Sequence, residues 1–153
     1  MNYKIPQSVL VVIYTKELEV LLLERAGNVG YWQSVTGSKD TLDEHFVLTA
    51  KREVEEETGI CIGESEFCVP TKNLQDWKIT NQYEIYALWR DRYAPLVTHN
   101  TEHVFGLCVP RTIPISLSAH EHVRYEWLPY QKAAERCFSP SNKEAILVLP
   151  EYM

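Results

Sequence analysis

Apolar positions along this chain fall into short runs broken by charged or glycine-containing stretches. SVLVVIY (Ser8–Tyr14) and VLLLE (Val20–Glu24) are rich in β-formers and are separated by the charged turn TKELE, which predicts two strands in a hairpin-like arrangement. GNVGYWQSVTGS is punctuated by glycine and predicts loop, short strand, loop. Further strands are predicted over Ile60–Val69, Tyr83–Trp89, His103–Val109 and Val123–Leu128. PYQKAAERCF predicts a helix with Pro129 near its start. A last helix is expected in SPSNKEAILVL, where Ser141 and Glu144 have capping-box spacing and Pro150 ends the run. Strands mixed with two or three helices, without regular βαβ alternation, predict an α+β fold with helices packed on a mixed sheet.

The strongest helical signal lies between Thr41 and Gly59. Thr41 and Glu44 have capping-box spacing, and Gly59 stands where a C-cap glycine belongs, so a helix is predicted over Leu42–Thr58. Within it, KREVEEETG (Lys51–Gly59) places four glutamates in five positions. Like charges three or four residues apart on a helix cost about 0.2–0.5 kcal/mol per pair. At 100° per residue, Phe46, Ala50, Glu53 and Glu57 share one stripe, with Val47 and Val54 beside it, Glu56 on the other flank and Glu55 pointing away. A solvated acidic face would lie opposite the apolar stripe, yet Glu53 and Glu57 continue it. Inward-facing carboxylates are costly unless a cation neutralises them. Oxygen ligands at this spacing suit a hard cation such as Mg²⁺ or Mn²⁺ that shares substrate phosphate oxygens, whereas zinc would want His or Cys.

Composition narrows the classes. The 153 residues are 45% hydrophobic and 24% charged, as expected of one globular domain over residues 1–153. A net charge of -6 argues against a broad nucleic-acid-binding face but not against a polyanionic small substrate, where metal ions supply positive charge locally. The apolar run in MNYKIPQSVLVVIYTKE is too short to span a membrane and reads as a buried strand. Cys61, Cys68, Cys108 and Cys137 lack CxxC spacing, so all four are expected to be buried, reduced thiols of a cytoplasmic protein. HEH (His120–His122) lacks the i, i+4 spacing of a zinc-binding HExxH helix, and its histidines read as loop residues. THNTEH reads as loop into strand, with His99 and His103 structural.

REVEEETGI (Arg52–Ile60) resembles the core of the Nudix box, a glycine and a glutamate followed by R-E-apolar-x-E-E-x-G-apolar. Glu44, seven residues and then Arg52-Glu53 keep the box's internal spacing. One departure precedes it: the box has five residues between its glycine and first glutamate, whereas SKDTLD puts six between Gly37 and Glu44. The usual glycine just before that glutamate is also replaced. The resemblance implies a Nudix-type α/β/α sandwich and cleavage of a diphosphate bond dependent on Mg²⁺, with Mn²⁺ as a possible substitute. It further implies that Glu53, Glu56 and Glu57 hold metal and that Arg52 orients one carboxylate through a salt bridge.

Beyond the box, YWQSVTGS (Tyr31–Ser38), RYAPLVTHNTEHVF (Arg92–Phe105) and EHVRYEWL (Glu121–Leu128) resemble Nudix members that act on a pterin triphosphate in folate synthesis. This likeness implies hydrolysis of 7,8-dihydroneopterin triphosphate to the monophosphate and pyrophosphate. It implies substrate contacts at Lys4, Arg25, Thr36, Tyr83, Glu84, Ile85, Tyr86 and Ser139, and a further metal ligand at Glu121. Lys4 and Arg25 are cations suited to a triphosphate. Tyr83 and Tyr86 offer aromatic surface to a flat ring, with Ile85 expected on the other face of a strand. Either Glu56 or Glu121 is the expected general base. Two other readings stand beside this one: a pyrophosphatase acting on a (d)NTP such as dATP, and a Nudix-fold module that binds a nucleotide without cleaving it.

Overall fold

The structure, a computed structural model, describes residues 2–153; Met1, included in the expected domain, lies outside them. Its centre is a seven-stranded mixed sheet. β1 (Gln7–Tyr14) pairs in parallel with β6 (His99–Cys108), from Gln7↔Thr101 to Tyr14↔Cys108. β5 (Leu74–Glu84) lies antiparallel outside β6. β2 (Glu19–Arg25) runs antiparallel to β7 (His122–Pro129). The hairpin expectation holds only at its turn: β1 and β2 pair at Tyr14↔Val20 and then splay apart. Into the gap goes the segment predicted as a single short strand, which forms β3 (Trp32–Gln33) against β2 and β4 (Val35–Ser38) against β1.

Alternation along β1 explains why that strand is apolar throughout. Val9, Val11 and Ile13 face a cluster containing Ala50 and Val54 of α1 (Phe46–Thr58). Leu10, Val12 and Tyr14 face another cluster, built with Ala133 and Ala134 of α2 (Tyr130–Arg136) and Ala145 and Ile146 of α3 (Pro140–Leu147). A strand buried on both faces needs a continuous apolar run. One helix on one face and two on the other give the expected α/β/α sandwich.

Several local expectations are corrected. The capping box at Thr41 does not form: α1 begins at Phe46 after His45, the Thr41 hydroxyl bonds Asp43, and Glu44 is drawn to Arg52 instead. Val47 is exposed rather than beside the buried stripe. Gly59 does cap the helix, at φ 77°, and its N–H bonds the Glu55 carbonyl. The helix after Phe138 is capped by Ser139, not Ser141; its hydroxyl accepts from the Asn142 N–H at 3.4 Å. Tyr83–Trp89 is strand only as far as Glu84, after which Ala87–Arg92 forms a 3-10 turn. β6 starts at His99, so His99 and His103 lie in strand from the outset.

Ile60–Val69 is a closed loop instead of a strand. The Val69 N–H bonds the Cys61 carbonyl and Ile62 bridges Val69, which brings Cys61 and Cys68 into a disulfide. The expectation of four reduced thiols is therefore corrected to two, Cys108 and Cys137. Sequence spacing did not signal this pair because a turn closes the loop. Among the described residues, no helix is long and apolar enough to cross a membrane.

Candidate functional site

On the α2/α3 face, the helices cover the Tyr14 end of β1. Toward its Ser8 end the sheet turns polar, with Ser8, Asn81, Asn100 and Glu102 on neighbouring strands lining a cavity of about 960 Å³. The edge of α1 reaches this cavity through Glu53 and Glu57, beside the β4 wedge.

Arg52 organises the acidic helix. Its guanidinium donates to Glu53 Oε1 at 2.8 Å, to Glu44 Oε1 at 3.0 Å and to the Ser38 carbonyl at 3.0 Å. Asp40, in the lengthened loop, adds a carboxylate 3.1 Å from Nε. The extra residue between Gly37 and Glu44 is thus absorbed without losing the Glu44–Arg52 pair. Glu44 also accepts from Thr49 at 2.7 Å, and the Arg52 bonds hold its carboxyl down at about 2. Gly37 has a steric role: a Cβ there would occupy the space of the Glu53 carboxyl group.

Glu57 is the most deeply buried member of the cluster, at 2% exposure, and its Oε1 has no hydrogen-bond partner. Burial pushes its carboxyl well above the usual range, and Glu53 and Glu121 push it further. Glu53 is also raised, by burial first, while Arg52 pulls it back. Ligand atoms of Glu57, Glu121 and His122 lie within 4.8 Å of one another. His122 Nδ1 is 3.8 Å from Glu57 Oε1 and is itself unpartnered, while Nε2 meets Gln33 at 3.2 Å. Burial, and then the charge of Arg25, lowers His122 to about 4, so its ring is neutral near pH 7. Unpaired carboxylate oxygen and neutral imidazole nitrogen around one point are a donor set for a divalent cation. The residues fit a divalent cation.

Positive charge faces this cluster. Lys4 and Arg25 line the cavity; each is lowered by burial and then by Arg92, with Glu121 acting in the other direction on both. Arg25 lies over the Trp89 ring at 4.9 Å, and Lys4 over Tyr93 at 5.8 Å. Thr36, Tyr83, Glu84, Ile85, Tyr86 and Ser139 also line the cavity. Ile85 was expected to face away, but the strand ends at Glu84, so alternation no longer governs it. Glu56 and Arg52 are not brought into the cavity. Glu56 is half-exposed on the flank of α1, 3.5 Å from Arg52 Nη1.

Sequence reasoning missed several groups. His122 was read as loop, yet it opens β7 opposite Arg25; extending the predicted strand by one residue would have found it. Trp89 and Phe138 join Tyr86 in an aromatic cluster, with ring centroids 5.5 and 5.4 Å from Tyr86. They come from a 3-10 turn and an interhelical corner, where no periodicity marks them.

A NUDIX domain profile matches residues 4–149, and the chain belongs to the Nudix hydrolase family. Dihydroneopterin triphosphate diphosphatase of Escherichia coli K12 is 41% identical over 145 residues, covering 94% of this chain and 91% of that protein. The Haemophilus influenzae protein of the same name is 41% identical over 147 residues, covering 95% and 88%. The solved structure of the E. coli dihydroneopterin triphosphate pyrophosphohydrolase superposes with a TM-score of 0.84 at 38% identity, covering 100% of both chains.

Proposed function

We propose that this chain hydrolyses 7,8-dihydroneopterin triphosphate to dihydroneopterin monophosphate and pyrophosphate, in the cytoplasm, as a step of folate biosynthesis, and that residues 1–153 act as one Nudix domain. The observation that carries the reading is the buried Glu57 carboxylate, its Oε1 unpartnered beside Glu121 and His122, in a cavity that Lys4 and Arg25 also line. The names of relatives that cover nearly the whole chain support the pterin substrate.

Glu53, Glu57 and Glu121 would hold Mg²⁺ or, as a substitute, Mn²⁺; His122 is a nitrogen donor beside them, and Glu56 joins by family likeness from the helix flank. A bound divalent cation supplies charge neutralisation on phosphate oxygens and lowers the pKa of the attacking water. Arg52 fixes the Glu53 carboxylate, so that little reorganisation is needed when substrate arrives. Lys4 and Arg25 bind the phosphate chain and set its register. Of the two candidate bases, Glu121 is exposed and lines the cavity while Glu56 stays outside it, so Glu121 takes the proton from water. Tyr83, Tyr86 and Ser139 contact the ring end, with Trp89 and Phe138 as added aromatic surface; Thr36, Glu84 and Ile85 complete the wall.

Water adds to one phosphorus while the α–β bridging bond breaks, and pyrophosphate leaves with that bridging oxygen. Phosphorus NMR of the products, with dATP as comparison substrate, tests both substrate and register. The expected result is pyrophosphate and a monophosphate ester in equal amounts from the pterin, at a higher kcat/KM than for dATP. Inorganic phosphate with a diphosphate ester overturns the register, and a preference for dATP overturns the substrate.

A further inference from the structure

On its β6 side, the same cavity contains a second set of unsatisfied polar atoms. Glu102, on β6, is 4% exposed and lines the cavity, and its Oε1 has no hydrogen-bond partner. Burial pushes the Glu102 carboxyl above its usual range, and Ser141 and Asn81 draw it part of the way back. One strand position pair away, Asn100 spends its amide nitrogen on the Ser8 hydroxyl at 2.7 Å and the Tyr83 hydroxyl at 3.0 Å. In this orientation Asn100 Oδ1 is buried without a partner. Tyr83 is pushed up to about 12 by burial and then by the Glu102 charge, so its hydroxyl stays protonated.

A purely structural network of this kind would satisfy its members, because each buried acceptor left unpaired costs about 1–3 kcal/mol. Here a carboxylate oxygen and an amide oxygen, both acceptors, are left over on one cavity wall. What they lack is donors. Lys4 and Arg25 do not fill that need: neither pairs with Glu102 Oε1 or Asn100 Oδ1.

We propose that Glu102, supported by Asn100, is the specificity-determining residue for the ring, accepting hydrogen bonds from the adjacent N–H and amino groups of a 2-amino-4-oxo pyrimidine. That edge belongs to pterin and guanine rings alike, and its two parallel N–H bonds match a carboxylate as a guanidinium fork does. Adenine offers a ring-nitrogen lone pair beside its amino group, so one carboxylate oxygen would meet another acceptor. A site built to satisfy buried polar groups rejects a ligand that leaves them unpaired far more strongly than an apolar pocket does. The inference rests on the reading of this cavity as a pterin triphosphate site and names what distinguishes that ring from dATP.

The test uses unphosphorylated ligands, so it does not depend on hydrolysis. Neopterin fluorescence is titrated with the wild-type protein and with Glu102→Gln, with guanosine, inosine and adenosine as competitors; inosine is guanosine without the 2-amino group. The expected outcome is at least about tenfold weaker neopterin binding by Glu102→Gln. In the wild type, guanosine competes at least about tenfold better than inosine or adenosine. Unchanged neopterin affinity in a folded Glu102→Gln protein overturns the proposal, as does a wild type that binds no neopterin or treats guanosine and inosine alike. If Glu102→Gln does not fold, the guanosine–inosine comparison on the wild type decides alone. A protein that binds neopterin through Glu102 yet does not cleave the triphosphate leaves this inference standing and removes the proposed activity.

Discussion

Burial and two neighbouring carboxylates, Glu53 and Glu121, all oppose the charge of Glu57. Glu57→Gln keeps the shape and removes that charge. Turnover should fall by at least about a hundredfold, because a cation ligand contributes several kcal/mol to the transition state. The metal-free variant should unfold at a higher temperature than the wild type, its repulsion with Glu53 gone. Kinetics at saturating Mg²⁺ and a thermal melt in chelator check the two halves; near wild-type activity refutes the role. Glu44 presents the opposite case. Its carboxyl is held at about 2, against an ordinary 4.5, so it contributes stability fully above about pH 4.5 that is lost as pH falls toward 2. Glu44→Gln should therefore cost about 1.5–3 kcal/mol at pH 7, the range for a hydrogen bond to a charged group. The difference from wild type should shrink toward zero near pH 2. Urea unfolding at pH 7 and pH 3 measures it; an equal gap at both values contradicts the assignment.

Among the elements, the β4 wedge and α1 have to fit each other closely. Gly37→Ala would push the Glu53 carboxyl away from Arg52 and out of the cavity edge. The expected outcome is a folded protein with weakened metal response and activity reduced at least about tenfold, read by circular dichroism and an Mg²⁺ titration of rate. Elements of this kind were legible to different degrees. The stripe of Phe46, Ala50, Glu53 and Glu57 was readable because helical period and burial agree, and Gly59 marked the helix end. The start of α1 was not, because Arg52 outbids the backbone for Glu44, a tertiary preference that overrides a local cap. The β3–β4 wedge was hidden for a related reason: a two-residue strand has no period, and its place depends on β1 and β2 parting. The Cys61–Cys68 pair and the ring-end acceptors Glu102 and Asn100 depend on backbone pairings that residue spacing does not encode.

For the whole molecule, the proposed metal site lies where helix, wedge and the β7 end converge, so cation binding should stabilise the entire fold. Mg²⁺ at a hundred times its Kd should add about 2.7 kcal/mol by mass action. The melting temperature should rise with Mg²⁺ in the wild type and stay flat in Glu57→Gln. A flat wild-type response overturns the proposed donor set. The parallel pairing of β1 with β6 has a further consequence, in the order of events during synthesis. Gln7 cannot meet its partner until the chain has grown to Thr101, and β2 waits longer still for β7. Meanwhile β1 and β2, two largely apolar strands, have no complete sheet to enter. Non-local pairing of this kind folds slowly and leaves strand edges open on the way. In the growing chain, the acidic segment is therefore made before the β6 and β7 strands that complete the sheet beside it.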